Sequence, residues 1–345
     1  MAAPHAILGV ELPVVQAPMA GVQDSALAIA VSNAGGLGSL PCAMLEPEAI
    51  RHEIGAIRAA TQHPFNVNFF CHETPTVDAG REAAWRAALA PYYGEFGIDA
   101  SSIAAGAGRL PFSAAAAAVL EAVRPPVVSF HFGLPEPALL ARVRALGARI
   151  LSSATTVEEA LWLERQGVDA VIAQGWEAGG HRGHFLSHDL SLQAGTLALV
   201  AQVVRAVRIP VIAAGGIADA AGVRAALALG AVAAQVGTAY LLCPEATTHP
   251  LHREALASPA AQRTALTNLY TGRPARGIVT RLMRELGPLS DLAPDFPLAT
   301  AALAPLRTAG LQRGRADFMP LWCGQNASGC RPVPAGELTR GLAGA

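Results

Sequence analysis

The chain has 345 residues, of which 52% are hydrophobic, and its formal net charge at pH 7 is −1. This length and apolar content allow a large core, built either as one α/β domain with an appendage or as two domains. The near-zero charge gives no electrostatic footprint for nucleic acid, and the absence of lysine excludes Schiff-base and lysine-nucleophile chemistry.

Short apolar runs alternate with longer stretches of helical period, a pattern typical of repeated βα units around a parallel sheet. The predicted strands are 14–19, 36–41, 65–70, 127–132, 149–154, 170–174, 210–214 and 233–241. Helices are predicted between them, for example at 136–146, 157–166, 195–207 and 220–229. The strands are nearly continuous runs of Val, Ile and Ala, as expected for strands that are buried on both faces.

Eight βα units predict an α/β fold of the (β/α)8 TIM barrel type, in which ligands bind at the carboxyl ends of the strands. A doubly wound sheet is the alternative, but it more often has a G-x-G-x-x-G turn after its first strand, and none follows 14–19.

Two segments interrupt the βα pattern. Residues 71–123 form a long connection with a helical stretch at 80–89, and residues 244–303 are helical and punctuated by proline. Long insertions at the functional face of a barrel are often caps. We therefore predict a barrel at 1–243 and 304–345, with a mostly helical second domain inserted at 244–303.

Cysteine usage and the amino-terminal sequence indicate where the protein resides. The five cysteines are odd in number and include no C-x-x-C pair, which favours reduced thiols in a cytosolic protein. No basic segment followed by an apolar run marks a secretory signal, and the alanine run at 114–118 is too short to span a membrane. A soluble, cytoplasmic protein is expected.

Glycines stand at the ends of the last three predicted strands. A glycine there lets the backbone approach a ligand closely, because it has no Cβ. In barrels, the loops after strands seven and eight commonly bind a phosphate group. The residues at these strand ends are Gly179, Gly180, Gly215, Gly216, Gln235, Val236, Gly237 and Thr238. They predict a phosphate-ligand site, and the alternative is that the glycines only form tight strand–helix turns.

Other strand ends point to the same site. Pro18 and Met19 end the first strand, where a polarizable methionine suits contact with a flat aromatic ring, although it can equally belong to the core. Asn68 ends strand three and Gln174 ends strand six. Buried amides at these positions can satisfy the edge of a heteroaromatic ring or hydrogen-bond to each other.

Two histidines stand at strand ends, where barrels place catalytic groups. His181 directly follows the double glycine, and histidine transfers protons near neutral pH. His131 ends strand four between two phenylalanines, and its alternative role is that of a core histidine. The H-x-x-H-x-x-x-H spacing from His181 to His188 has no Cys, Asp or Glu at metal-finger spacing, so no metal is expected.

Several motifs occur together along the chain. They are Q-A-P-M-A-G from residue 16, the Asn68 strand end, S-F-H-F-G from 129, Q-G-W-E-A-G-G-H-R-G from 174, A-A-G-G-I-A-D from 213, Q-V-G-T-A-Y-L from 235, T-G-R-P-A-R-G from 271 and L-W-C-G-Q from 321. With these motifs in this order, the chain resembles the nitronate monooxygenases, formerly called 2-nitropropane dioxygenases, and particularly their bacterial class I branch. The resemblance covers residues 10–327.

The resemblance implies a barrel that contains FMN, with an added helical domain that contributes to substrate binding. The contacts that it implies are Gly216 and residues 235–238 for the FMN phosphate, Asn68, Gln174 and Gly179 for the flavin, and Pro18 and Met19 for the isoalloxazine surface. It also implies that His181 lies beside flavin N5 as a base or substrate-positioning group, and that His131 forms a second polar wall of the pocket.

The reaction implied by the resemblance is the oxidation of an alkyl nitronate or nitroalkane with O₂ to a carbonyl compound and nitrite. The alternatives are an FMN-dependent NAD(P)H reductase of quinones or enoyl thioesters, and a non-catalytic flavin-binding barrel. None of these functions involves nucleic acid or a membrane. A homodimer is among the assemblies that the sequence leaves open.

One stretch departs from the family pattern. Phe296 and Thr300 stand where class I members commonly have tyrosines, and Ala304 stands where they have a lysine. A small anionic nitronate would lose these partners, so the departure affects the substrate site and not the cofactor site. Other cations near the motifs could replace the missing lysine, and the candidates are Arg182, Arg273 and Arg276.

Overall fold

The computed structural model describes residues 4–103 and 109–344. Its strands are β1 (Val14–Gln16), β2 (Gly38–Pro41), β3 (Phe65–Phe70), β4 (Val127–His131), β5 (Arg149–Ala154), β6 (Ala170–Gln174), β7 (Gly180–His181), β8 (Val211–Ala214), β9 (Ala233–Val236), β10 (Thr264–Thr267) and β11 (Ala275–Ile278). Eight of these form one parallel sheet in the order β1–β9–β8–β6–β5–β4–β3–β2. A parallel bridge between Val15 and Leu37 joins the two ends of this sheet, so the predicted (β/α)8 barrel is confirmed.

Helices connect the strands, and most of them cover the outside of the barrel. They are α1 (Ser25–Asn33), α2 (Pro47–Ala60), α3 (Ala79–Phe96), α4 (Ala114–Val123), α5 (Pro137–Ala145), α6 (Val157–Arg165), α7 (Thr196–Ala206), α8 (Ala220–Ala228), α9 (Pro250–Leu256), α10 (Arg281–Leu286), α11 (Ala299–Gln312) and α12 (Ala335–Ala343). Short 3₁₀ helices lie at Pro4–Leu8, Ala100–Ser102, Leu190–Leu192, Thr238–Leu242 and Pro259–Gln262. Within the described ranges, no helix combines the length and the apolar character needed to cross a membrane.

Several predicted elements have different ends in the structure. The predicted strand 14–19 ends at Gln16, so Pro18 and Met19 lie in the loop after β1 and do not end the strand. The predicted strand 233–241 ends at Val236, because Gly237 leaves the extended conformation (φ −115°, ψ −72°) and the 3₁₀ helix Thr238–Leu242 follows. The predicted helix 80–89 is longer in the structure and runs over Ala79–Phe96. Its ends are set by local chemistry, because the Asp78 carboxylate caps the first turn and Gly97 adopts the left-handed conformation after the last.

Side chains on each barrel strand alternate between the barrel interior and the surrounding helices, because successive residues point to opposite faces. On β6, Val171 and Ala173 pack in the core between strands and helices, whereas Ala170 and Ile172 fill the barrel interior. Gln174 is the next inward position and lies at the carboxyl end of the strand. The alternation therefore places a polar side chain at the opening where barrels bind ligands.

A second core lies outside the barrel, between α3 and α11. The Trp85 indole of α3 donates a hydrogen bond to the carbonyl of Ala299 (3.3 Å), and the Tyr93 hydroxyl donates to the carbonyl of Ala302 (2.7 Å). Both donors are buried aromatic residues, so each hydrogen bond satisfies a polar group that packing alone would leave unpaired. The long connection between β3 and β4 thus supplies one half of this core through α3.

The second core does not follow a single segment of the chain. The predicted insertion 244–303 contains α9, α10, β10 and β11, while α11 runs without interruption across position 303. The predicted connection 71–123 contributes α3, and its residues 104–108 lie outside the described part. The division into domains at 243 and 303 therefore stays a prediction.

A small antiparallel sheet joins the barrel to the added segment, and no strand was predicted in it. β11 pairs with β10 on one side and with β7 on the other. In the second pairing, Ala275 lies opposite His181 and Arg276 lies opposite Gly180. β7 has only two residues, so the alternation that marks longer strands is absent from the sequence.

Gly38 on β2 provides a test of how closely the helices pack on the barrel. A Cβ at Gly38 would lie 2.0 Å from the carbonyl oxygen of Ala28, so Gly38→Ala has to displace α1. We expect this substitution to lower the free energy of unfolding by about 3 kcal/mol, at the upper end of overpacking costs.

Gly55→Ala on α2 is the matched control. No described heavy atom lies within 4 Å of a Cβ at Gly55, and alanine favours a helix over glycine by about 0.5–1 kcal/mol. Urea unfolding of both variants measures the contrast, and equal stability of Gly38→Ala and wild type would contradict the described packing.

Candidate active site

A cavity of about 180 Å³ opens at the carboxyl ends of the barrel strands. The predicted site residues that line it are Pro18, Met19, His131, Gln174, Gly179, Gly180, His181, Gly215, Gly216, Gln235, Gly237 and Thr238. Their strands are distant in sequence but end at the same face of the barrel, which brings the residues together. Sequence analysis did not single out Arg109 or His252, which also line the cavity.

Asn68 and Val236 are not among the residues that line the cavity. The Asn68 amide donates to the Ser129 hydroxyl (2.9 Å) and to the Ser129 carbonyl (3.3 Å) in the barrel interior. The Val236 side chain packs in the core around the barrel, and its carbonyl accepts a hydrogen bond from the Ala17 amide (2.8 Å). Their contacts with a cofactor stay predictions.

His181 is held at both its main chain and its ring. Its carbonyl accepts hydrogen bonds from Gln174 Nε2 (2.9 Å) and His131 Nε2 (3.2 Å). Its ring Nε2 lies 2.9 Å from Thr271 Oγ1, a residue that sequence analysis did not select for this role. Among the described residues, His181 Nδ1 has no hydrogen-bond partner. This nitrogen is therefore available to a molecule bound in the cavity.

His131 has both ring nitrogens engaged. Nδ1 lies 2.6 Å from Ser153 Oγ, and Nε2 lies 3.2 Å from the His181 carbonyl. A carbonyl oxygen can only accept, so Nε2 has the proton and Nδ1 accepts from the Ser153 hydroxyl. In this arrangement His131 orients the main chain of His181 and offers no free ring nitrogen to a ligand.

The ring of His181 is surrounded by cations. Burial lowers the pKa of His181 well below its ordinary value, and the charges of Arg109 and Arg273 lower it further. Burial also lowers the pKa of His131 to about 3, with the charge of Arg273 as the second cause. Both rings are therefore neutral at neutral pH. No carboxylate of the described residues offsets these charges at His181, so the cavity favours a bound anion.

The three arginines proposed as lysine substitutes bind protein groups. The Arg182 guanidinium is fully buried and donates to the carbonyls of Gly175 (2.6 Å) and Gln174 (2.9 Å). Arg276 donates to the carbonyl of Trp176 (3.0 Å). Arg273 donates to the carbonyl of His184, and its guanidinium lies 4.1 Å from the centre of the Phe132 ring.

Arg109 differs from these three arginines. It comes from the 71–123 connection and lines the cavity, and its side chain has no hydrogen bond or ion pair with the described residues. Burial lowers its pKa, and the charge of Arg307 lowers it further. No motif surrounds Arg109 in the sequence, so only the fold reveals its position.

The part of the cavity beside β8 and β9 can hold a phosphate-containing group. The 3₁₀ helix Thr238–Leu242 begins there, and the first N–H groups of a helix have no partner within it. Thr238 Oγ1 accepts from the Gly324 amide (2.9 Å), which leaves its hydroxyl hydrogen free to donate. Gln235 Oε1 is buried and has no partner among the described residues, so it suits a donor on a ligand. On β7, which also borders the cavity, no described atom lies within 4 Å of the place that a Cβ of Gly180 would occupy.

Comparison with known proteins extends over the whole chain. The sequence model of the family described as "Nitronate monooxygenase" matches residues 3–344. A nitronate monooxygenase of Pseudomonas aeruginosa is 46% identical, covering 97% of this chain and 96% of the relative. A nitronate monooxygenase of Paraburkholderia phytofirmans is 43% identical, covering 97% of this chain and 92% of the relative.

Solved structures show the same similarity. The nitroalkane oxidase from Streptomyces ansochromogenes has a TM-score of 0.89 and 42% identity, covering 97% of this chain and 95% of that chain. FabK from Thermotoga maritima has a TM-score of 0.73 and 27% identity, covering 99% of this chain and 95% of that chain.

A buried histidine beside the site makes stability depend on pH. Burial lowers the pKa of His184 to about 3, with the charge of Arg273 as the second cause, and neither ring nitrogen has a described partner. In the unfolded chain histidine has a pKa of about 6.5. Below that pH the unfolded chain therefore binds a proton that the folded chain excludes. The stability is complete above pH 6.5 and falls as the pH decreases towards the folded-state pKa.

We expect His184→Leu to reduce the pH dependence of the unfolding free energy by up to about 1.4 kcal/mol per pH unit in this window. Urea unfolding at a series of pH values from 8 to 4.5 measures the slope. At pH 8 histidine is neutral in the folded and the unfolded chain. The difference in unfolding free energy between wild type and His184→Leu at this pH therefore reports the cost of the substitution itself. Identical slopes in the two proteins would show that His184 is not excluded from protonation by the fold.

Proposed function

Because the chain belongs to the nitronate monooxygenase family and is an oxidoreductase, we propose that it uses FMN and O₂ to oxidise alkyl nitronates to carbonyl compounds and nitrite. The observation that supports this most directly is the neutral His181 ring, which faces the cavity among cations and has a free Nδ1. A nitronate is an anion, so this electrostatic environment suits it. The family itself, as predicted from the motifs, is confirmed.

The glycine-lined part of the cavity suits FMN. Gly216, Gly237 and Thr238 would hold the phosphate through backbone N–H groups and a hydroxyl. The unpartnered Gln235 Oε1 would accept a hydrogen bond from the cofactor. When bound, FMN supplies the electron-transfer chemistry, which none of the side chains around the cavity can provide. The protein contributes binding, orientation and electrostatics.

His181 would act as the base when the substrate is a neutral nitroalkane. Nδ1 would take the proton from the carbon next to the nitro group, because Nε2 is held by Thr271. The Thr271 hydroxyl can donate to the Arg273 carbonyl at 3.4 Å, and it then accepts from Nε2–H. This arrangement places the free lone pair on Nδ1. Thr271 is thus a positioning residue, as is His131 through the His181 carbonyl.

When the substrate is already a nitronate, no proton has to be removed. His181 then contributes as a neutral wall of the cavity, and nearby arginines stabilise the negative charge. The low pKa of His181 keeps its ring neutral, and therefore able to accept a proton, well below neutral pH.

The proposed function predicts a distinct pattern of reactivity. Purified protein should contain FMN, consume O₂ and release nitrite with the nitronate of 1-nitropropane or nitroethane. Without O₂, the nitronate should change the flavin absorbance, whereas NADPH should not. Full reduction by NADPH without nitrite formation would favour the reductase of quinones or enoyl thioesters. Bound flavin that responds to neither compound would favour a non-catalytic barrel.

The base role of His181 predicts a contrast between neutral and anionic substrates. We expect His181→Asn to keep FMN and to lower kcat/KM for neutral nitroethane by about 10²–10⁴-fold, the usual contribution of a general base. The loss with ethyl nitronate should be at least tenfold smaller, because no proton is abstracted from it. Initial-rate oxygen uptake gives kcat/KM for each substrate in wild type and variant, and from these the two losses are compared. Equal losses for both substrates would assign His181 to binding and not to proton transfer.

A further inference from the structure

A short segment that follows α11 bridges the loops at the carboxyl ends of three barrel strands. We call residues 324–326 the bridging segment, because each of them donates one hydrogen bond to a different loop. The loops follow β6, β8 and β9. The three bonds are each 2.9 Å long and run from the Gly324 main-chain N–H to Thr238 Oγ1, from the Gln325 main-chain N–H to the Glu177 carbonyl, and from Asn326 Nδ2 to the Gly216 carbonyl. The bridging segment thus fixes the loops that form the glycine-lined part of the cavity.

The Asn326 side chain is held with its amide nitrogen towards Gly216. Its Oδ1 accepts hydrogen bonds from the Ser328 main-chain N–H (3.1 Å) and the Ser328 hydroxyl (2.6 Å). An amide oxygen accepts and an amide nitrogen donates, so these two donors on one side leave Nδ2 on the other side, at the Gly216 carbonyl. Gly329 packs on the same loop, because a Cβ there would lie 2.1 Å from the Ala218 carbonyl oxygen. The segment is therefore attached to the loop after β8 by a side chain and by main-chain packing.

The hydrogen bond from Asn326 determines which way one peptide group of the cavity wall faces. The C=O of Gly216 and the N–H of Ile217 belong to the same trans peptide group, so they point in opposite directions. Ile217 lines the cavity, and its N–H donates no hydrogen bond to the described residues. With the carbonyl held by Asn326, the Ile217 N–H is turned away from the bridging segment and is free for a ligand.

The bridging segment occupies acceptors of these loops and leaves donors free. Gly324 donates to Thr238 Oγ1, so the Thr238 hydroxyl hydrogen is likewise left for another partner. Free N–H and O–H donors suit an anion, and the anion that the proposed function brings to this part of the cavity is the phosphate of FMN. Among the described residues that line the cavity, the one arginine is Arg109, whose charge acts on His181. Neutral donors would therefore hold the phosphate, and its binding depends on their direction.

We propose that Asn326 is a positioning residue for the cofactor, which acts through the Gly216 carbonyl and directs the Ile217 N–H at the phosphate of FMN. The inference rests on the proposed use of FMN. It gives the segment after α11 a part in cofactor binding, although this segment lies far along the chain from the strands that form the site. The effect is specific to the phosphate, because the flavin ring and its ribityl chain do not depend on this N–H.

The test compares FMN with riboflavin, which has the same ring and ribityl chain but no phosphate. The full-length protein, freed of its flavin, is titrated with each compound, and quenching of the flavin fluorescence gives each Kd. Asn326→Ala should weaken FMN binding by about tenfold, as for one hydrogen bond to a charged group, and riboflavin binding by less than about twofold. The rate at which FMN leaves the loaded protein should increase in Asn326→Ala as well.

Three further variants separate orientation from charge and from the loss of an asparagine as such. Ser328→Ala removes one of the two bonds that orient Asn326 and should weaken FMN binding by about threefold. Asn326→Asp places a negative charge near the phosphate, so it should weaken FMN binding more than Asn326→Ala, and the excess should shrink as salt is added. Asn33→Ala on α1 removes an asparagine that donates to the Ala60 carbonyl (3.2 Å) away from the cavity, and it should leave both affinities unchanged.

The possible outcomes distinguish this inference from the proposed function. If wild type binds FMN and Asn326→Ala weakens FMN and riboflavin equally, or weakens neither, the inference is overturned and the proposed use of FMN stands. If Asn326→Ala does not fold, Ser328→Ala decides the question by the same comparison of the two flavins. A wild type that binds neither compound would overturn the proposed function and this inference together.

Discussion

The pairing of β7 with β11 is the contact on which the site depends. It joins a two-residue strand after β6 to a segment nearly a hundred residues later, and it places His181 opposite Ala275. The same pairing brings Thr271, at the start of the turn before β11, within hydrogen-bond distance of the His181 ring. From the barrel side, Gln174 and His131 both donate to the His181 carbonyl. A backbone held from two sides has little freedom, so the ring is oriented before a ligand arrives.

Apart from histidine, every basic side chain around the site is an arginine, because the chain contains no lysine. Burial lowers the pKa of Arg182 to about 9 and of Arg273 to about 10, so both guanidinium groups remain charged at neutral pH. A lysine buried to the same extent can lose its proton, since its ordinary pKa is lower. Arginine therefore maintains a positive potential around His181 even in a buried setting, and that potential adds to the effect of burial, which is the main cause of the neutral histidine.

The arginines near the cavity divide into two groups by their partners. Arg182 directly follows His181, and Arg273 and Arg276 lie in the motif that starts at residue 271, but all three donate to backbone carbonyls and hold the loops together. Arg109 lies outside every motif, and it is the one whose side chain has no partner among the described residues. The arginines within the motifs thus have a structural role, because the loops that present a motif need donors for their own carbonyl groups.

The sequence by itself determined the barrel, its strand-end glycines and most of the cavity wall, because these depend on local periodicity and on the rule that parallel strands end at one face. It also determined the family through the order of its motifs. Only the tertiary structure decided the rest: the β7–β11 pairing, the end of β9 at Val236, the contact of Thr271 with His181 and the position of Arg109. Most of these features depend on residues far apart in the chain, and the two-residue β7 is too short to show a period. Their positions follow from packing and hydrogen bonding that form only when the chain is folded.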